Sequence, residues 1–314
     1  MKHYVLMCNF LQGAMDLRHA YLIIVHHEFN VLRFLIDTID DSRNDIFIHL
    51  DKKVKQLPEL KTKHANLYFT KTRIDVRWGD VSQIEAEYVL FEEAFKNGSY
   101  EYYHLLSGVD LPLRSQDDIH AFFRKHRGKE FIGFSKGNLD AHIDRKINRY
   151  HLFSKHFKDS EGVRGIIRKS FRYLFLRLQY LAGVRRNSDV TYKKGTNWVS
   201  VTHSFIGYVL SQKHKVLKMY AYTFCGDEIF IQTICWNSHF RNQIFDLDNV
   251  VRGSQRIIGW KNNKLVEWEK KDFDMLIQSE VLFARKFSSK HIELVKRIVS
   301  HITNPEERRQ GETF

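Results

Sequence analysis

Short wholly apolar runs alternate with segments of helical spacing through the first third of the chain. Residues 21–25, Tyr-Leu-Ile-Ile-Val, read as a strand buried on both faces, as parallel strands are. Phe29–Ile39 follows, with Val31, Leu32, Leu35 and Ile36 at helical intervals. Residues 45–50 and 66–69 are the next strands, 83–95 a helix rich in Glu, Ala and Leu, and 102–106 another buried strand. This alternation predicts a doubly wound α/β unit. Ligands in such sheets gather beyond the carboxyl ends of strands, and His26, His27, Asp51 and Asp110 all fall at such ends.

Between 143 and 186 the pattern changes. Arg145, Lys146, Arg149, Arg164, Arg168, Lys169, Arg172, Arg177, Arg185 and Arg186 interleave with Phe171, Tyr173, Leu174, Phe175, Leu178 and Leu181. This reads as a basic amphipathic helix able to rest on an anionic bilayer through 164–186. The plainer reading, favoured on pattern alone, packs the apolar stripe on the core and leaves the arginines in water. Residues 197–201 read as a strand, 204–210 as the start of a helix and 228–235 as another helix. Residues 288–302 form a last amphipathic helix, with a serine start and Ile292, Val295, Ile298 and Val299 on one face. The tail from Pro305 is polar.

The 314 residues give room for one large α/β domain or two small ones, and Pro58, Pro112 and Pro305 are the only prolines. A formal net charge of +13 favours an anionic partner: a nucleotide, a nucleic acid or an acidic membrane. Cys8, Cys225 and Cys235 form no CxxC, so neither a zinc site nor a disulfide framework is predicted, and a reducing compartment fits. No apolar run approaches the ~20 residues of a membrane span. Met1 and Met15 are both candidate translation starts. The absence of GxGxxG and of a P-loop argues against a nicotinamide enzyme and an ATPase.

Five short stretches offer chemistry. Ser107-Gly-Val-Asp110-Leu-Pro112 ends a strand with a single acid, and Gly108 stands where a metal-holding pair would need a second one. Asp246-Leu-Asp248 has acid-x-acid spacing, but its polar surroundings read as a loop. Asp227-Glu228 opens a helix; the dipole alone accounts for acids there, while the functional reading makes Glu228 a general base. Gly195-Thr-Asn197-Trp198 suits a sugar-binding wall or an ordinary buried Trp. Arg285-Lys286, between Phe283 and Phe287, suits a diphosphate leaving group, or else is plain basic surface.

Read together, these motifs resemble one family. The matching residues are 19–26 (HAYLIIVH), 43–52 (RNDIFIHLDK), 76–79 (VRWG), 103–112 (YHLLSGVDLP), 195–198 (GTNW), Asp227-Glu228, 256–260 (RIIGW) and 283–287 (FARKF). In order and spacing they are similar to the core-2/I-branching N-acetylglucosaminyltransferases and peptide xylosyltransferases, glycosyltransferase family 14, and the likeness spans roughly residues 19–290.

The resemblance implies a GT-A-like α/β fold with a Rossmann-like nucleotide-binding half (19–125), an acceptor and catalytic half (126–290) and a mixed sheet, followed by a helix and tail (291–314). It implies inverting transfer of GlcNAc or xylose from a UDP-sugar to a hydroxyl of a glycan or glycolipid, without metal or other cofactor. By position Glu228 is the base, Arg285 and Lys286 hold the diphosphate, and Val25, His26 and Asp51 form the uridine pocket. Trp78, Asp110, Asn197 and Trp198 lie near the donor sugar, and Lys146 and Arg149 on the acceptor side. Lys264 and Arg256 are both candidates for a further diphosphate cation. Xylosyltransferases carry an acid where Asn197 stands, which argues against a peptide acceptor. The absence of extra cysteines and of an anchor points to a bacterial-type, cytoplasmic protein, peripheral at the inner face of the membrane. The rival classes are a nucleic-acid-binding protein, for which no recognisable module is present, and a non-catalytic membrane-surface protein.

Overall fold

A computed structural model describes residues 18–304 apart from 57, 138, 159–161, 187, 188 and 263. Met1, Cys8, Met15 and the tail from Pro305 lie outside the described residues. The apolar runs become the strands of a five-stranded sheet in the order β3-β2-β1-β4-β6. These strands are β1 (His19–Val25), β2 (Asn44–Leu50), β3 (Asn66–Phe69), β4 (Tyr102–Ser107) and β6 (Ser200–Thr202). β1 runs parallel to β2 and β4, β3 runs parallel to β2, and β6 is antiparallel to β4. The α/β class, the parallel Rossmann-like half and the mixed sheet therefore follow the expectation, and they fit the GT-A-like architecture the resemblance implies.

Register matters for function. Val25 lies opposite Leu50, and Ile24 opposite Ser107, so three strands end together. Their next residues, His26, Asp51 and Gly108, share one rim. A second sheet, ordered β5-β10-β7, is made of Asp110–Pro112, Phe283–Arg285 and Arg256–Ile258. Arg285 pairs with Asp110 on one side and Ile258 on the other. β8 (Trp260–Lys261) and β9 (Lys264–Leu265) form a hairpin beside it.

Helix Phe29–Ile39 buries Val31, Leu32, Leu35 and Ile36 as the spacing predicts. Helix Gln116–Lys125 starts on a capping box between Ser115 and Asp118, which satisfies backbone donors the first turn leaves open. Helix Ile292–Thr303 buries Leu294, Val295, Ile298 and Ile302, the first three in the core that also holds Val31, Leu32 and Leu35.

Three expectations are corrected. The strand at 197–201 is only Ser200–Thr202, because Trp198 leaves the sheet edge to lie against Arg285. The helix expected from Glu228 begins at Phe230. Gly226–Glu228 is a 3-10 turn closed by Ile229 N–H donating to Gly226 O (2.9 Å), and the φ of −131° at Ile229 breaks the helical path. The 143–186 segment is two helices, Asp140–Ile147 and Gly162–Leu181, with a 3-10 turn at Ser154–His156 between them. The apolar stripe of the second helix points to solvent instead of the core: Val163, Ile167, Leu174, Leu178 and Leu181 are all exposed.

Several histidines are buried and neutral. His49 Nε2 accepts the Ile74 N–H at 2.9 Å, and burial pushes its pKa down to about 4. His120 stacks on His19, and burial pushes it down to about 3. The unfolded chain, with histidines near 6.5, binds protons over a window in which the fold does not. Stability is thus fully present above about pH 6.5 and falls as pH drops towards these folded values. Urea midpoints measured from pH 7 down to pH 5 should decline steadily; a flat profile would show that these rings are not held neutral.

Candidate active site

The rim of the parallel sheet builds one wall. The Asp51 N–H donates to Val25 O (2.9 Å) and the Gly108 N–H to Ile24 O (3.0 Å), which locks the three strand ends together. Asp51 is buried and accepts hydrogen bonds from Lys53 N (2.8 Å) and Lys53 Nζ (2.7 Å). His26 stacks on His27 at 4.0 Å, and burial pushes its pKa down to about 4, so its ring is neutral at physiological pH. Val25, His26 and Asp51 are thus brought together. A neutral ring next to a carboxylate can donate to and accept from a uracil-like edge.

Arg285 is the next feature. Its Nε lies 3.3 Å from Asp110 Oδ1, and its guanidinium lies 4.2 Å from the centre of the Trp198 ring. Asp110 Oδ1 also accepts from Ser107 Oγ (2.5 Å), and Oδ2 from Ser107 N (3.1 Å). Burial pushes the Asp110 carboxyl up and the Arg285 guanidinium down, and each charge opposes the other's shift. An arginine stays charged even so. Asp110 and Trp198 together hold Arg285. Lys286 is more open, with Nζ 3.5 Å from Glu267. Arg256 does not belong to this group: it is buried and donates to Val199 O (2.7 Å) and Ser200 Oγ (2.9 Å), a structural role. Lys264 stands exposed on the β8–β9 hairpin, whose base is tied to the pair by Gly259 N–H donating to Arg285 O (3.1 Å).

Glu228 is the candidate base. Its carboxylate is 35% exposed, while its neighbour Asp227 is half-buried, with Oδ1 shielded from solvent, and is pushed up to about 7 by desolvation and by Glu228. The 3-10 turn thus gives two adjacent acids different surroundings. Lys194 Nζ lies 3.2 Å and Lys146 Nζ 3.4 Å from Glu228 Oε2. These cations flank the carboxylate and fix its position. Lys146, expected on the acceptor side, is a counter-ion of Glu228. Arg149 is also buried and engaged, paired with Asp144 (3.2 Å) and stacked on Tyr180 (4.5 Å).

One four-residue segment spans the site. Gly195 N–H donates to Glu228 O at 2.9 Å, and three residues on Trp198 lies beneath Arg285. Only glycine fits at 195, where a β-carbon would sit 1.7 Å from Gly133 O. Asn197 is buried, with its side chain beside Glu87. On the other side, exposed Trp78 meets Phe224 edge-on (5.4 Å), and Lys146 lies 5.4 Å from the centre of the same Phe224 ring. Lys53 reaches from Asp51 to Val76 O at 2.5 Å, which ties the Trp78 loop to the sheet rim. Asp51, Trp78, Glu228 and Arg285 are linked by a ring of contacts.

Sequence reasoning missed Lys194, Lys53, Ser107 and Phe224. Only Ser107 carried a local signal, three residues before Asp110 in a strand-end turn. Among the described residues no group of three or more His, Cys, Asp or Glu side chains is arranged to hold a metal ion. Asp246 is used locally: it accepts from Asp248 N (2.7 Å) and Asn249 N (3.0 Å). Two surface hollows elsewhere, one lined by Arg33 and Asp37 and one by Asp41 and Gln116, contain none of the candidate residues.

Known proteins share this frame. The chain is 24% identical to xylosyltransferase 2 of Mus musculus over 300 residues, covering 88% of this chain and 32% of that protein. Human xylosyltransferase 2 is 24% identical over 304 residues (88% and 33%), and human xylosyltransferase 1 is 23% identical over 299 (88% and 29%). The chain spans about a third of the length of these relatives. The model of the family described as Core-2/I-Branching enzyme matches residues 19–285, a stretch that takes in the sheet rim, Trp78, Glu228 and Arg285. The chain belongs to the Core-2/I-branching enzyme family of glycosyltransferases.

Proposed function

We propose that this protein transfers a sugar, GlcNAc or xylose, from a UDP-sugar to a hydroxyl of a glycan or glycolipid, with inversion and without a metal ion. Residues 19–125 serve as the UDP-binding half and 126–290 as the acceptor and catalytic half. Glu228 takes the acceptor's proton as its oxygen attacks the anomeric carbon. The bond from that carbon to the UDP oxygen breaks, and its electron pair leaves with the diphosphate. Arg285 and Lys286 then face more negative charge in the transition state than before it, and that difference is what speeds the step. Val25, His26 and Asp51 take the uridine, with Trp78 at the donor sugar; Lys264 joins the diphosphate cations if its hairpin swings inward. The reading is carried by one observation: the stretch from Lys194 to Trp198 reaches Glu228 at one end, through Lys194 Nζ on its half-open carboxylate and Gly195 N–H on its main-chain carbonyl, and lies against the Arg285 guanidinium at the other.

No helix among the described residues is long and apolar enough to cross a membrane. Cys225 and Cys235 are buried and unpaired, which fits a reducing compartment. We place the protein in the cytoplasm, peripheral to an anionic membrane surface. The nucleic-acid alternative draws no support from the basic helix, whose outward face is aliphatic.

A thermal-shift panel of UDP-sugars, each with and without EDTA, tests this reading. One UDP-sugar should raise the melting temperature by several degrees, to the same extent in both conditions. A shift that vanishes with EDTA removes the metal-free mechanism. No shift with any UDP-sugar removes the donor class.

A further inference from the structure

Helix Gly162–Leu181 is built the wrong way round for a helix that serves only the core. Its protein-facing side is polar: Gln179 is buried, accepts from Tyr150 N (2.8 Å) and donates to Tyr150 O (2.9 Å), and Arg172 lies 4.9 Å from the centre of the Phe157 ring. Its outward side carries Val163 (73% exposed), Ile167 (60%), Phe171 (52%), Leu174 (55%), Leu178 (53%) and Leu181 (84%), spaced by three or four residues and so forming one stripe. Solvent-facing aliphatic area of this extent marks a docking surface.

Charge identifies what docks. Exposed Arg164, Lys169 and Arg177 border the stripe, exposed Tyr173 and Tyr180 stand beside it, and residues 162–186 contain no acid. Cations around an aliphatic stripe, with aromatic hydroxyls at its edge, suit the interface of an anionic bilayer. A second copy on this face would set like charges against each other.

The helix is joined by side-chain contacts to Glu228. Tyr180 stacks on Arg149 (4.5 Å), Arg149 pairs with Asp144 (3.2 Å), and the helix carrying Asp144 also carries Lys146, 3.4 Å from Glu228. We infer that the 162–181 helix lies in the headgroup layer of an anionic membrane and holds the Glu228 site close to it, so that the acceptor is a lipid-anchored glycan. The acceptor class rests on the transferase reading; the docking does not.

Sedimentation with vesicles tests the docking. The protein should pellet with phosphatidylcholine–phosphatidylglycerol vesicles about tenfold or more better than with phosphatidylcholine alone, less so at high salt. Leu174→Ser with Leu178→Ser should abolish this, and so should the triple change of Arg164, Lys169 and Arg177 to Gln. All these side chains are exposed, so the fold should survive, which circular dichroism checks. Protein that stays in the supernatant, or a dimer that Leu174→Ser dissociates, overturns the proposal. The acceptor class is read by incubating the protein with whole-cell membranes and a radiolabelled UDP-sugar. Label in extracted lipid supports it, and label only in water-soluble glycan overturns it. No label at all fails the transferase reading, while sedimentation still decides the docking.

Discussion

Replacing Glu228 by Gln should lower turnover about a thousandfold, within the range expected for loss of a general base, and leave UDP binding nearly intact. A fall of that size corresponds to ~4 kcal/mol of transition-state stabilisation. Gln keeps the shape and the hydrogen-bonding reach but cannot accept the acceptor's proton. Its effect on the fold must be read separately, because Lys146 is largely buried beside the acid and the substitution leaves that cation without its partner. Glu228→Asp divides the two roles. It keeps the charge near Lys146 and Lys194 but draws the carboxylate back, so the melting temperature should hold while turnover still falls. Wild-type turnover in Glu228→Gln, measured as UDP release in the presence of acceptor, would remove Glu228 from the mechanism.

Much of this site can be read without coordinates because its parts lie at strand ends, where a buried apolar run gives way abruptly to a polar residue. Val25-His26 and Leu50-Asp51 are such places, and the parallel register brings them side by side. Asp110 was legible for the same reason, but its task was not. Its partner Arg285 is far along the chain and reaches it only through the pairing of β5 with β10. Around Glu228 the local pattern misled. The apolar run from Ile229 continues without a break in period, so nothing in it signals that Ile229 leaves the helical path. That break separates the half-open carboxylate of Glu228 from Asp227, whose Oδ1 is shielded from solvent. Lys194 was invisible because a lysine one residue before a glycine carries no pattern. The basic segment was misread on one point: helical spacing gives a stripe its existence but not its direction. Gln179 and Arg172 settle the direction by bonding inward, and composition could not have singled them out.

Lys286→Ala should lower turnover about a hundredfold and weaken UDP binding, because one of two cations facing the departing diphosphate is lost. Lys286 is the cleaner test of the pair. Its partner Glu267 is 3.5 Å away and partly open to water, so removing the lysine costs the fold little. Arg285→Ala is a poor test, since it would leave Asp110 as a buried carboxylate without its ion-pair partner, a change that typically costs about 3–5 kcal/mol. Arg285→Lys keeps the charge near Asp110 but gives up the planar fork and the stacking on Trp198. It should fold and still turn over slowly. A structural role and a catalytic one are then told apart by ligand. If the two cations act on the diphosphate, each variant should lose affinity for UDP and retain that for uridine, which carries no phosphate. Equal losses for both ligands would mean that the substitutions deform the rim around Val25 and Asp51. Unchanged affinity for both, with wild-type turnover, would mean that the leaving group is neutralised elsewhere and that this basic pair is only the end of a strand.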